Sequence, residues 1–256
     1  MQLKERVIVI TGAGSGIGEA LARRFALERP RGLVLADLNY DAVQTVAREL
    51  GATARQIDVS DADSNRELID ETETTHGPID LFCANAGYGV AGDEQDDPES
   101  WDRMWQVNLM SHVHAAKYLV PGWLARGDGY FLSTASAAGL LTNLKAAQYS
   151  VTKHAAVSFA EWLSVTYGDK GLKVSCLCPM GVDTPFVDAA EEFHDLLGPH
   201  LIPPARVADA VVEGIDQENF LILPHPEVEK FFQNKANSYE KWILGMQRLR
   251  QSVFPD

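Results

Sequence analysis

The first twenty-two residues constrain the fold more than any other stretch of the chain. A β-branched run, Val7-Ile8-Val9-Ile10, leads into Thr11-Gly12-Ala13-Gly14-Ser15-Gly16-Ile17-Gly18, and a helical Glu19-Ala20-Leu21-Ala22 follows. A strand, a glycine turn and a helix in this order form an anion site. Glycine lets backbone approach a phosphate, and the unpaired N–H groups of the helix start point at it. The spacing departs from G-x-G-x-x-G because position 17 is Ile, so the glycines that matter are Gly12, Gly16 and Gly18. No Gly-Lys-Ser/Thr follows, which excludes a loop for triphosphates.

The rest of the chain alternates strand-like and helix-like segments. Strands are expected over Arg6–Thr11, Gly32–Asp37, Ala54–Asp58, Ile79–Asn85, Gly129–Ser133, Lys173–Cys178 and Phe220–Leu223. Helices are expected over Gly16–Glu28, Asp41–Gly51, Asp61–His76, Pro98–Arg126, Ala147–Gly168 and Arg206–Gln217. Such alternation implies βαβ crossovers. The expected architecture is α/β, a Rossmann-type doubly wound, seven-stranded, mostly parallel sheet with helices on both faces. At 256 residues, with no repeat or linker, it reads as one domain over residues 1–256.

Local chemistry marks several boundaries. Asp97-Pro98 reads as an N-cap with proline at the first helical position. Gly127 stands where a C-terminal cap is needed, and Pro121 is expected to kink or end the helix before it. The stretch from Thr184 to Pro204 holds Phe186, Val187, Phe193, Leu196 and Leu197 among acids. It reads either as a surface loop with a short helix or as a mobile lid over a substrate cleft.

Charge narrows the partners. The chain carries 22 basic and 36 acidic side chains, a formal net charge of −14. That excess argues against an open nucleic-acid surface but not against a nucleotide in a local pocket. No apolar stretch reaches the ~20 residues that span a bilayer, and no secretory signal fits the first six residues. Three cysteines leave an odd count, so a reducing cytoplasm is the expected compartment.

Asp37 ends the second strand, nineteen residues after Gly18. An acid there would hydrogen-bond ribose hydroxyls and repel a 2′-phosphate. No Arg or Lys occurs in Leu38-Asn39-Tyr40 to offset it, so NAD is expected over NADP.

Tyr149 and Lys153 stand at i and i+4 in an otherwise apolar helical stretch, and so share a face. An adjacent ammonium would lower the phenol pKa from its ordinary value near 10. Ser136 lies thirteen residues earlier, after the strand Gly129–Ser133.

At this point the chain resembles the short-chain dehydrogenase/reductase family, in its compact single-domain form, over about residues 5–225. The resemblance rests on Thr11–Gly18, Asp58-Val59, Asn85-Ala86-Gly87, Asn108 within Val107-Asn108-Leu109, Ser136 with Ala138-Gly139, Tyr149, Lys153, and Pro179 to Thr184. It implies a cofactor cleft lined by Gly12, Ser15, Gly16, Ile17, Gly18, Asp37, Leu38, Asp58, Val59, Asn85, Ala86, Gly87, Pro179, Val182 and Thr184. It implies that Asn108 holds a proton-relaying water and that Lys153 binds the nicotinamide ribose and lowers the pKa of Tyr149. Ser136 would bind the substrate oxygen, and Tyr149 would exchange its proton. Interconversion of an apolar secondary alcohol and a ketone or aldehyde with NAD follows. An NADP-dependent carbonyl reductase and a non-catalytic NAD-binding sensor or scaffold are the alternatives.

The chain departs from the family pattern at Met180, where Gly is usual, and in its tail. Leu223-Pro224-His225-Pro226 runs into a helical Glu227–Gln251, expected to dock on its own core, cap the cleft or reach a partner. The sparsely charged Tyr149–Val165 stretch implies a homodimer or homotetramer. Cys176 and Cys178 read as core, His112 and His114 face apart, and no metal site is expected.

Overall fold

The computed structural model describes residues 1–185 and 201–254. Seven strands form one sheet: β1 (Val7–Thr11), β2 (Gly32–Asp37), β3 (Thr53–Gln56), β4 (Leu81–Ala84), β5 (Gly129–Thr134), β6 (Leu172–Leu177) and β7 (Leu221–Ile222). Their order is β3-β2-β1-β4-β5-β6-β7, and every pairing is parallel. Parallel strands need crossovers, and here helices bury both faces. In β1, Val7 and Val9 enter one core, while Ile8 and Ile10 enter the other. The period-2 alternation of a strand thus serves two hydrophobic layers.

Helices α1 (Gly16–Ala26) and α2 (Tyr40–Leu50) cover one face. Helix α3 (Ala62–His76) lies on the other, followed by α4 (Pro98–Trp105), a π turn (Gln106–Met110) and α5 (Ser111–Arg126). The chain continues through α6 (Ala138–Leu141) and α7 (Ala147–Tyr167) to α8 (Pro204–Asp216), α9 (Pro226–Asn237) and α10 (Tyr239–Val253).

The expected caps are present. The Asp97 side chain accepts from the Glu99 N–H at 2.9 Å, with Pro98 at the first turn. Gly127 closes α5 in the left-handed region, at φ 69°. Two expectations are corrected and one is narrowed. Of the kink or end expected at Pro121, the end is excluded, since the helix runs on to Arg126. Pro121 and Lys117 are both exposed, so water can take the carbonyl that the proline leaves without a donor. The single long helix expected over Pro98–Arg126 is interrupted earlier, by the π turn, where the Ser111 N–H reaches back to the Gln106 carbonyl. The C-terminal helix expected over Glu227–Gln251 is two helices, broken at Ser238, whose φ of −157° is extended.

The sheet order sets the position of the site. Strand β1 lies between β2 and β4, so the chain leaves their carboxyl ends in opposite directions. A crevice opens at such a switch point. The Thr11 hydroxyl holds it together. It donates to the Cys83 carbonyl at 3.3 Å and accepts the Asn85 and Ala86 N–H groups, each at 3.1 Å.

Candidate active site

A cleft of about 980 Å³ opens along these strand ends. At one end lies the glycine turn. Gly12 has φ +66°, and a Cβ there would sit 2.8 Å from the Ala86 Cα. A Cβ on Gly18 would collide with the Gly12 carbonyl oxygen. These positions exclude side chains for two separate reasons, backbone conformation and close approach. Ser15 stands at the N-cap of α1 without a side-chain cap bond, leaving first-turn N–H groups toward the cleft.

The Asp37 carboxylate is fixed by backbone. One oxygen accepts from the Gly14 N–H at 2.9 Å, the other from the Asn39 N–H at 2.9 Å. No cation pairs with it among the described residues. Leu38 beside it is 60% exposed and lines the cleft. The Asp58 carboxylate accepts from the Ser60 N–H and hydroxyl at 2.9 and 2.6 Å.

At the other end lie Ser136, Tyr149 and Lys153. The hydroxyls of Ser136 and Tyr149 are hydrogen-bonded to each other. Lys153 is 3% exposed, with Nζ donating to the Thr134 carbonyl at 2.9 Å and lying 5.7 Å from the Tyr149 ring centre. Burial lowers its pKa to about 8. Burial pushes the Tyr149 phenol up to about 12, with the Ser136 hydrogen bond opposing. The expected lowering of Tyr149 by Lys153 is therefore reversed in the protein alone. Desolvation of the phenolate outweighs an ammonium that is itself desolvated and turned to a carbonyl.

The cleft is lined by each expected site residue except Asn108. That residue is fully buried in the π turn. Its Nδ2 donates to the Tyr88 carbonyl at 2.8 Å and to the Thr152 hydroxyl at 3.2 Å, and its Oδ1 accepts from the Tyr88 N–H at 3.0 Å. The side chain clamps the segment after Gly87, rather than reaching into the cleft. Behind it, His112 is fully buried, and burial pushes its pKa down to about 3.

Sequence reading missed Tyr88 and Arg103, which also line the cleft. It left the tail open among three positions. The tail caps the cleft of its own chain, presenting Phe231, Trp242, Met246 and Leu249. The Lys235 ammonium secures it, donating to the Leu140 carbonyl at 2.6 Å and stacking 4.7 Å over the Trp242 ring. Met180 lines the cleft as well, with its N–H donating to His225 Nδ1 at 3.1 Å. Phe186, Val187, Phe193, Leu196 and Leu197 lie outside the described residues.

Comparison with known proteins agrees with this architecture. A family model described as short chain dehydrogenase matches residues 6–195. A 1-deoxy-11-beta-hydroxypentalenate dehydrogenase of Streptomyces exfoliatus is 33% identical over 236 residues, covering 89% of this chain and 86% of that protein. A meso-2,3-butanediol dehydrogenase of Serratia marcescens is 36% identical over 188 residues, covering 72% of this chain and 74% of that one. The crystal structure of a short chain dehydrogenase/reductase from Burkholderia phymatum in complex with NAD superposes with a TM-score of 0.88 at 28% identity, covering 94% of this chain and 96% of that one. With a family match over most of its length and relatives named as dehydrogenases, the chain belongs to the short-chain dehydrogenase family of oxidoreductases.

Proposed function

We propose that this protein oxidises a secondary alcohol to a ketone with NAD, or runs the reverse reaction. The observation that carries this reading is the Ser136–Tyr149 hydroxyl pair above buried Lys153, at the end of a cleft whose other end is the glycine turn. The cradle suits a dinucleotide. The approach of Gly12 to Ala86 leaves no room for a side chain, and the uncapped start of α1 presents N–H groups to a pyrophosphate. When bound, the nicotinamide supplies the site from which hydride is given or taken.

The chain's own residues do the rest. Gly12, Ser15, Gly16, Ile17 and Gly18 hold the pyrophosphate. Asp37 and Leu38 receive the adenosine ribose, and Asp58 and Val59 the adenine. Asn85, Ala86 and Gly87 line the floor, while Pro179, Val182 and Thr184 orient the carboxamide. Ser136 and Tyr149 donate to the substrate oxygen, where charge appears or disappears during reaction. In oxidation Tyr149 takes the hydroxyl proton as hydride leaves the carbon. Lys153 receives the nicotinamide ribose and brings the charge that makes the phenolate accessible once the cleft is filled. Asn108 positions Tyr88 and Thr152.

The apolar wall of Val90, Leu141, Leu144, Met180, Phe231 and Trp242 fits a medium-sized apolar carbonyl or alcohol. Relatives named for hydroxypentalenate and butanediol support a hydroxyl-bearing substrate. No helix among the described residues is long and apolar enough to cross a membrane, and a cytoplasmic location is proposed. The test is a panel of secondary alcohols assayed by NADH absorbance. Alcohol-dependent reduction of NAD supports the reading; NAD binding without turnover of any alcohol or ketone favours a sensor.

A further inference from the structure

We propose that the substrate carries an anionic group, a carboxylate by preference, which Arg103 and Tyr88 receive at the mouth of the cleft. This deepens the function proposed above and rests on it for the location of the reacting carbon.

Among the described residues, four charged side chains line the cleft: Asp37, Asp58, Lys153 and Arg103. The two acids belong to the ends of β2 and β3, beside the glycine turn. Lys153 is buried and committed to the Thr134 carbonyl. Arg103 is the remaining cation, and it stands on α4 among apolar walls.

Several arginines of the fold are paired, and of those without a partner among the described residues Arg103 is the one that lines the cleft. Arg6, Arg23, Arg24 and Arg55 each pair with acids at 3.2 Å or less. The exposed Arg103 side chain forms no ion pair or hydrogen bond among the described residues, although Glu99 stands one turn earlier on its own helix. Nor does the Tyr88 hydroxyl find a partner among them, while the Tyr88 main chain is locked at both ends by Asn108. Both side chains line the same cleft; burial pushes the Tyr88 phenol up and the Arg103 charge pulls it back.

The cleft thus offers a planar cation and a phenol donor on one apolar wall, with no acceptor for either among the described residues. A guanidinium matches a carboxylate in two parallel hydrogen bonds, and a neighbouring hydroxyl adds a third. Placement matters more because the protein carries a net charge of −14, so a cation lining the cleft stands against a background that disfavours anions. The pair selects a hydroxy acid over the corresponding neutral alcohol.

The test separates binding from chemistry. Binding of trans-decalin-2-carboxylate and of its methyl ester is measured by calorimetry on the NAD-saturated protein and on Arg103→Met and Arg103→Lys. The proposal expects the acid to bind at least tenfold tighter than the ester. It expects the ratio to fall toward one in Arg103→Met and to persist in part in Arg103→Lys, with unchanged melting temperatures. Equal binding of acid and ester, no binding of the acid, or a ratio untouched by Arg103→Met would overturn it. Hydroxy acids on the same ring system are then assayed for NAD reduction. Arg103-dependent binding without turnover leaves the anion site standing and refutes the dehydrogenase reading instead.

Discussion

The imidazole of His225 holds the backbone at Met180. Its Nδ1 accepts the Met180 N–H at 3.1 Å, which leaves Nε2 to donate to the Gly181 carbonyl at 2.9 Å. His225 is 2% exposed and stands at the N-cap of α9. Met180 and the tail, the two places singled out in the sequence as unusual, meet in this contact. The tail therefore orders the loop proposed to hold the nicotinamide.

Removal of this imidazole leaves the part-buried Met180 N–H without its acceptor, while the Gly181 carbonyl keeps only the Ile202 N–H at 3.1 Å. His225→Ala is expected to cost roughly 1–3 kcal/mol in urea denaturation. It should also weaken NAD binding measured by protein fluorescence. A variant with wild-type stability and affinity would show that the loop holds its shape unaided.

Lys153 makes a second expectation, with a definite pH signature. Its folded pKa, about 8, lies below the ordinary 10.5, so the unfolded chain binds more protons between these values. The burial penalty is full below pH 8 and fades as pH rises toward 10.5. At 1.36 kcal/mol per unit, Lys153→Met is expected to gain as much as about 3 kcal/mol at pH 7, less the lost Thr134 hydrogen bond. The gain should shrink above pH 8, and turnover should be lost throughout. Lower stability for Lys153→Met at pH 7 would contradict the assignment of the lysine as a strained functional group.

Cofactor choice is expected to depend on Asp37. A 2′-phosphate near its backbone-anchored carboxylate meets a repulsion of a few kcal/mol, roughly 100-fold or more in affinity. The wild type should favour NAD over NADP by that order in kcat/KM. Asp37→Ser should narrow the gap, at some cost in NAD affinity, because the Gly14 N–H loses its acceptor. Equal kcat/KM for the two cofactors in the wild type would remove Asp37 as the selector.

Much of this was legible in the sequence, because local rules and tertiary structure agree. The glycine turn, the strand alternation and the Asp97 and Gly127 caps each act over a few residues, and each is found where its chemistry puts it. The pattern of the π turn was not legible, since Gln106–Met110 has ordinary helix formers and its geometry is set by Asn108 gripping Tyr88 and Thr152. Pro121 misled because a proline on the solvent side of a helix leaves its carbonyl to water. Arg103 was missed as a cleft residue, and the tail was left open among three positions, for one reason. Their place depends on how α4, α9 and α10 pack, and no spacing rule reports it. The sign of the Tyr149 shift was also beyond the i, i+4 rule, which records proximity to Lys153 but not desolvation.

Helix α7 bears on assembly. It buries Lys153, Ala156, Ala160 and Leu163 and presents Val151, Trp162 and Val165 to solvent at 47%, 54% and 86% exposure. We expect a dimer or tetramer by light scattering at micromolar concentration, with Trp162→Glu shifted to monomer. A wild-type monomer would leave this face without the partner proposed for it.

The central claim is that Tyr149 exchanges the substrate proton. Its most direct test is Tyr149→Phe, which keeps the ring and removes the hydroxyl. Turnover of the best alcohol should fall by roughly 100-fold to 10,000-fold, the usual share of general acid–base catalysis, while the NAD dissociation constant stays within about threefold. Wild-type turnover in Tyr149→Phe, with NAD bound equally well, would contradict the account.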